Sequence, residues 1–113
     1  MTVKDTIMAT RTSQVTPLPV RRALTRMGQD IATWRKLRRL TMAETADRAG
    51  VSVSTLARLE GGKGASLEHT LAVARALGVL DSLAHAVDPY ESDLGRARAD
   101  EALPTRVRRS GAR

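Results

Sequence analysis

An all-α fold of five or six short helices with basic tails follows from three features of this 113-residue sequence. Apolar residues recur at steps of three and four, and no segment alternates with a step of two. Capping residues and glycines punctuate the chain at helix-length intervals. Aromatics are 2%, with Trp34, Tyr90 and no Phe, so the side chains that fill strands are largely missing.

The elements follow in order. Residues 1–18 are rich in Thr, Ser, Lys and Arg without a sustained period, and read as a mobile tail that Pro17 and Pro19 help to close. A helical period then runs through Val20, Leu24, Met27, Ile31 and Trp34. Gly28 interrupts it at a cost of about 1 kcal/mol against Ala. The pattern fits either one long helix or a lead-in followed by a helix over about 29–39. Thr41-Met42-Ala43-Glu44 is a capping box, which starts a second helix that ends at Gly50. Ser52 caps a third helix, which carries Leu56 and Leu59 and stops at Gly61-Gly62. Ser66 caps a fourth, with a stripe of Leu67, Leu71, Ala74 and Leu77, and Gly78 ends it. Leu80, Leu83, Ala84 and Val87 mark a short fifth helix before Asp88-Pro89. A sixth fits residues 92–103, ahead of Pro104. The resulting division is a tail over 1–18, a domain over 19–87, and a helix with basic tail over 88–113.

Charge bounds the function. The formal net charge is +7, with 19 Lys and Arg against 12 Asp and Glu. The layout is uneven: residues 1–39 carry +7, residues 40–103 carry −4 and residues 104–113 carry +4. A basic excess of this kind suits a polyanion. The few aromatics argue against single-strand binding, which relies on base stacking. The basic ends lack the bulky apolar partners of a membrane-surface helix. With no cysteine there is neither a disulfide framework nor a zinc finger. Neither a signal-peptide core nor a spanning segment is evident, so a cytoplasmic, nucleoid-associated location is expected.

The second and third helices meet at Gly50-Val51-Ser52. So short a connection forces a steep crossing, the helix-turn-helix arrangement. The third helix would then enter the DNA major groove. Leu56 and Leu59 turn inward, leaving Val53, Ser54, Ala57 and Arg58 outward and Thr55 beside the backbone. Arg58 can donate two parallel hydrogen bonds to guanine, Ser54 can donate or accept, and Val53 and Ala57 can touch a thymine methyl. Spacing alone also fits a plain helical bundle with a solvated polar face.

The ordered set Ile31, Arg35, Leu40-Thr41, Glu44, Ala46, Ala49-Gly50-Val51-Ser52, Ser54-Thr55-Leu56, Arg58-Leu59-Glu60, Gly62-Lys63 and Ser66-Leu67 resembles the Xre/Cro, lambda-repressor-like helix-turn-helix family. The resemblance implies base reading by Val53, Ser54, Ala57 and Arg58. It also implies an ion pair between Arg35 and Glu60. Met42 stands where the family often has a phosphate-binding Gln, so phosphate contact would lean on Arg38, Arg39, Thr41, Arg48, Thr55 and Lys63, with backbone N–H groups near Met42 and Ala43.

Further stretches resemble the HipB-like antitoxins. These are Gly78-Val79-Leu80-Asp81-Ser82-Leu83, Asp88-Pro89, Leu94-Gly95, Leu103-Pro104 and the basic Arg106-Val107-Arg108-Arg109, together with the Arg21–Arg26 lead-in. That resemblance implies a homodimer that binds double-stranded operator DNA and a HipA-type serine/threonine kinase toxin, repressing its own operon. Pairing would double a short half-site. Leu80, Leu83, Ala84 and Val87 are the candidate dimer face, although the same stripe could instead seal the monomer core.

Other motifs are set aside. Gly61-Gly62-Lys63-Gly64 lacks phosphate-loop spacing and a preceding strand. His69 and His85 lie sixteen residues apart without cysteine, and Asp88, Glu91 and Asp93 flank Pro89 as helix caps. No catalytic constellation, cofactor or metal site is expected. Three functional classes remain: a repressor, a repressor that is also an antitoxin, and an adaptor that keeps the fold without binding DNA. A stand-alone regulator with no toxin partner is the alternative to the antitoxin.

Overall fold

The computed structural model describes residues 15–101. Most of the expected N-terminal tail and all of the basic segment 104–113, with Arg106, Arg108, Arg109 and Arg113, lie outside the described residues. Helix α1 spans Leu18–Leu37, α2 Met42–Ala49, α3 Val53–Glu60, α4 Leu67–Leu77 and α5 Leu80–Ala86. A 3-10 turn over Pro89–Glu91 follows, and residues 93–101 are helical. There is no strand among the described residues.

One continuous helix of 20 residues replaces the choice between a long helix and a broken one. It opens at Leu18, inside the segment expected as tail, with Pro17 at its N-cap and Pro19 in its first turn, where a missing N–H costs nothing. Gly28 lies mid-helix and is buried. A Cβ there would collide with the carbonyl oxygens of Leu59 and Glu60, the latter 2.7 Å away. The glycine is therefore the crossing point of α1 over the end of α3, and the apparent break in the helical pattern is a packing requirement.

The core comprises Ile31, Ala46, Leu56, Leu59, Val73 and Leu77, with Leu40, Met42, Ala49, Val51, Ala65 and Val79 packed around it. Helix α4 lies centrally and touches α1, α2, α3 and α5. Thr45 is fully buried, and its hydroxyl donates to the Thr41 carbonyl at 2.9 Å, so no unpaired polar atom enters the core. Two apolar stripes differ from the sequence expectation. In α4, Leu67 is 73% exposed and Val73 takes an inward position. Leu67 opens α4 at its first position in solvent, whereas Val73 joins the core with Ile31, Ala46, Leu56, Leu59 and Leu77. In α1, Val20, Met27 and Trp34 are partly exposed and Ile31 carries the burial. The first turns of α1 extend beyond the bundle they were expected to cover.

Helix ends bring the next residue inward. After α1, α2 and α4 the chain adopts a left-handed residue, at Arg39 (φ 59°), Gly50 (φ 73°) and Gly78 (φ 83°). The residue following each donates its N–H five positions back: Leu40 to Arg35 (3.1 Å), Val51 to Ala46 (3.0 Å) and Val79 to Ala74 (2.9 Å). This is the Schellman closure. Leu40, Val51 and Val79 are each apolar and pack on the core. Each stop thus satisfies orphan carbonyls and sets the direction of the next helix.

The crossing yields a prediction. Gly28→Ala should lower unfolding free energy in urea by about 1–3 kcal/mol through overpacking, even though Ala is the better helix former by about 1 kcal/mol. A variant as stable as the parent would show that α1 and α3 are not held this closely.

Candidate nucleic-acid interface

The interface is assembled from two short helices joined at a left-handed glycine. In α2 the Thr41 hydroxyl accepts from the Glu44 N–H (3.0 Å), and the Glu44 carboxylate accepts from the Thr41 N–H (2.8 Å). The capping box read in the sequence is therefore closed from both sides. In α3 the Ser52 hydroxyl accepts from the Thr55 N–H (3.0 Å) and donates to the Thr55 hydroxyl (2.9 Å). Both helix N-termini retain outward N–H groups in their first turns, and the positive end of each helix favours an anion.

Helix α3 separates its faces as the period requires. Leu56 and Leu59 are buried, while Val53, Ser54, Ala57 and Arg58 are exposed on one side, with Val53 48% exposed. The structure therefore brings the four base-reading candidates together on a single solvent-facing surface. Thr41 and Thr55 sit at the two helix starts. The Thr41 hydroxyl accepts from the Glu44 N–H and the Thr55 hydroxyl from the Ser52 hydroxyl, which leaves each threonine proton available to a phosphate. Arg39, Arg48 and Lys63 are exposed. Lys63 lies between Gly62 and Gly64, both left-handed, in the loop that leaves α3.

Arg38, expected among the phosphate contacts, has a partner inside the protein. Its guanidinium Nε donates to the Leu77 carbonyl (3.0 Å), and the group lies 5.6 Å from the centre of the Trp34 ring. Its Nε thus caps the end of α4 and its plane lies near α1, while the residue as a whole stays exposed. Met42 is half-buried against the core, and its thioether has no proton to donate to a phosphate.

Arg35 and Glu60 join α1 to the last residue of α3. The Nε–Oε2 distance is 2.8 Å and Nη2–Oε1 is 3.2 Å, a bidentate pair. A third guanidinium nitrogen, Nη1, donates to the Leu40 carbonyl (3.1 Å). The side chains are 14% and 10% exposed, so the pair is largely shielded from water. The hydrogen bond to Glu60 raises the Arg35 pKa further above its usual value.

Residues 31–80 match the helix-turn-helix family model. The fold is a lambda-repressor-like helix-turn-helix bundle, with α2 and α3 as its central pair. Searches of curated proteins and of solved structures gave no match. The helix-turn-helix match covers the candidate base-reading face, the Arg35–Glu60 pair and the loop with Lys63, and leaves residues 18–30 of α1 outside it.

The remaining candidates fall elsewhere. Leu80 and Leu83 are half-buried within the chain, whereas Ala84 is exposed and Val87 is 84% exposed. The stripe thus divides: Leu83 lines a groove with Met27, Ile31, Trp34 and Val79, and Val87 projects outward. Asp88 accepts from the Tyr90 N–H (2.9 Å) and caps the 3-10 turn, while Asp93 pairs with Arg96. The fold brings His85 to Asp88 and Glu91, with one ligand atom from each within 4.8 Å of the others, a juxtaposition the sequence reading did not anticipate. Helical spacing from His85 past the turn at Pro89 was the available signal. No helix among the described residues is long and apolar enough to cross a membrane.

Two predictions follow from this geometry. Hydrogen bonds from Thr41 hold the Glu44 carboxyl below its usual pKa of 4.5. A lowered folded pKa stabilises the native state above the unfolded value, and the gain is lost as pH falls through the folded value. The stability difference between the parent and Glu44→Ala should therefore be full above about pH 5 and shrink on acidification, as read from urea midpoints across that range. For the ion pair, Glu60→Gln or Arg35→Met should each cost about 2–4 kcal/mol by stranding a shielded charge. The double variant should cost clearly less than the two combined, in the same unfolding assay.

Proposed function

We propose that this protein is a sequence-specific double-stranded DNA-binding transcriptional repressor that acts as a homodimer. The observation that carries the reading is the face of α3. Val53, Ser54, Ala57 and Arg58 stand together in solvent on a helix whose opposite side is locked into the core. A rigid helix with short side chains around one arginine can enter the major groove and place the guanidinium against a guanine edge. Thr41, Thr55, Arg39, Arg48 and Lys63 surround that face with hydroxyl and cationic donors for phosphates, and the α2 and α3 N-termini add backbone N–H groups. Dimerisation would set two such helices about one DNA turn apart. The exposed Ala84 and Val87 support a contact through α5, with Leu80 and Leu83 behind them.

A finer reading rests on the resemblance of residues 78–109 to HipB-like antitoxins. In it the protein also binds a HipA-type kinase toxin and represses the operon that encodes both. The exposed acids Asp81, Glu91, Asp93, Asp100 and Glu101 support a protein-binding role for this end, because a surface of that sign repels phosphates. Coexpression with a kinase-like neighbouring gene tests it. A stable copurifying complex is the expected result, and no complex, or no such neighbour, returns the protein to a stand-alone regulator.

The DNA reading has its own test. In footprinting and anisotropy titrations on the gene's own promoter, Arg58→Ala should reduce discrimination against unrelated duplex by about 1–3 kcal/mol. Operator affinity unchanged by Arg58→Ala would instead favour an adaptor that keeps the fold without reading DNA.

A further inference from the structure

The first half of α1 lies outside the matched family segment, and it carries a feature that the reading helix does not use. Leu18, Arg21, Arg22, Thr25, Arg26 and Gln29 line a shallow open groove along one side of this helix. All three arginines are exposed, and no described carboxylate lies within ion-pair distance of them. The first acid in α1 is Asp30, beyond the groove.

The groove continues directly from the end of α3. At the crossing, Gly28 lies against the Leu59 and Glu60 carbonyls. From there the chain leaving α3 runs back along α1 toward its N-terminus. A Cβ on Gly62 would stand 2.9 Å from the Thr25 Cα, and one on Gly64 would stand 3.7 Å from the Leu24 side chain. Lys63, between these glycines, is thereby held beside Thr25, which lines the groove with Arg21, Arg22 and Arg26. The loop cannot shift its register, because Gly62 is left-handed and its close approach to the Thr25 backbone leaves no room for a side chain. The three groove arginines and Lys63 in the adjoining loop thus place a basic strip beside the end of α3.

We propose that Arg21, Arg22 and Arg26, with Lys63, form a second phosphate-binding surface that grips the DNA backbone flanking the bases read by α3. The strip fits a duplex backbone in sign and in length. Arg21 and Arg26 are five residues apart on a helix that rises about 1.5 Å per residue, so they span about 7.5 Å. That covers about two phosphate steps of one strand, at 3.4 Å each along the duplex axis. Such contacts position the protein without selecting sequence, a different task from that of Arg58. The strip also explains why a net-negative central section can sit on DNA: its attraction is supplied from the neighbouring half of α1. The proposal rests on the reading of the protein as a duplex-DNA binder.

The test compares the parent chain with R21Q/R22Q/R26Q and R21K/R22K/R26K on two probes, the gene's own promoter and an unrelated duplex of equal length, over a range of salt concentrations. Gln and Lys are good helix formers and all three sites are exposed, so circular dichroism should show both variants folded. The Gln variant should bind both duplexes about tenfold to a hundredfold more weakly at low salt. Its slope of log affinity against log salt should be shallower by about 2–3. The ratio between the two probes should stay unchanged, and the Lys variant should keep the parent slope. An unchanged slope in the Gln variant overturns the proposal while leaving the DNA reading intact, as does a Lys variant that loses the slope as fully. Loss of binding to anionic phosphatidylserine vesicles with duplex binding unaffected would reassign the strip to a membrane surface and overturn it too. A parent chain that binds neither duplex overturns both the proposal and the reading beneath it.

Discussion

The bidentate contact between Arg35 and Glu60 holds the first helix to the last residue of the third, and the rest of the interface depends on where that junction sits. Three donors on one guanidinium reach two partners: the Glu60 carboxylate and the Leu40 carbonyl, which lies at the exit of α1. One side chain therefore fixes the end of α3 and the start of the path into α2. The pair is largely dry, so it acts as a directional restraint more than as a source of net stability. Gly28 completes the junction, since the two backbones approach too closely for a side chain there. With α1 and α3 locked, the outward face of α3 has a single orientation. A reading helix needs that property, because a small misplacement of a bidentate donor forfeits its selectivity.

Stability and function share the same short helices. Helices α2 and α3 have eight residues each, too few to persist alone in water. They hold because each is capped at its start, closed by a glycine-centred turn at its end, and pressed on one side into a core of Ile31, Leu56, Val73 and Leu77. After α2 the apolar Val51 reaches back into that core, so the turn and the packing reinforce each other. The solvent side of each helix is left free for other chemistry. In α3 that side carries small residues around one arginine, and in α2 it carries threonine and exposed charge.

Electrostatics divides along the chain as well. The helices that would touch bases are not themselves strongly basic. Attraction to a polyanion is concentrated on the first helix, whose arginines run back from the end of α3. In the proposed DNA-binding reading, selection and attraction fall to different elements. The acidic surface of α5 and the segment after it faces a different requirement, and its sign suits a partner other than nucleic acid.

Much of this was determined by the sequence itself, because the signals are local. The Thr41–Glu44 box, the caps at Ser52 and Ser66, and the glycines at 50, 61, 62 and 78 specify helix starts and stops through contacts within a few residues. The three-and-four spacing of Leu56 and Leu59 separates the inner from the outer face of α3 without further information. Resemblance supplied the pairing of Arg35 with Glu60, which lie 25 positions apart and carry no local signal. Tertiary structure decided what depends on distant neighbours. Gly28 reads locally as a helix breaker, and only the approach of the Leu59 and Glu60 carbonyls shows that the position excludes a side chain. Arg38 reads as one cation in a basic run, yet the Leu77 carbonyl and the Trp34 ring claim its guanidinium. Leu67 reads as core by spacing and is exposed, while Val73 of the same helix is buried. In each case the composition of the position was legible, while its role was set by whichever group the fold brought beside it.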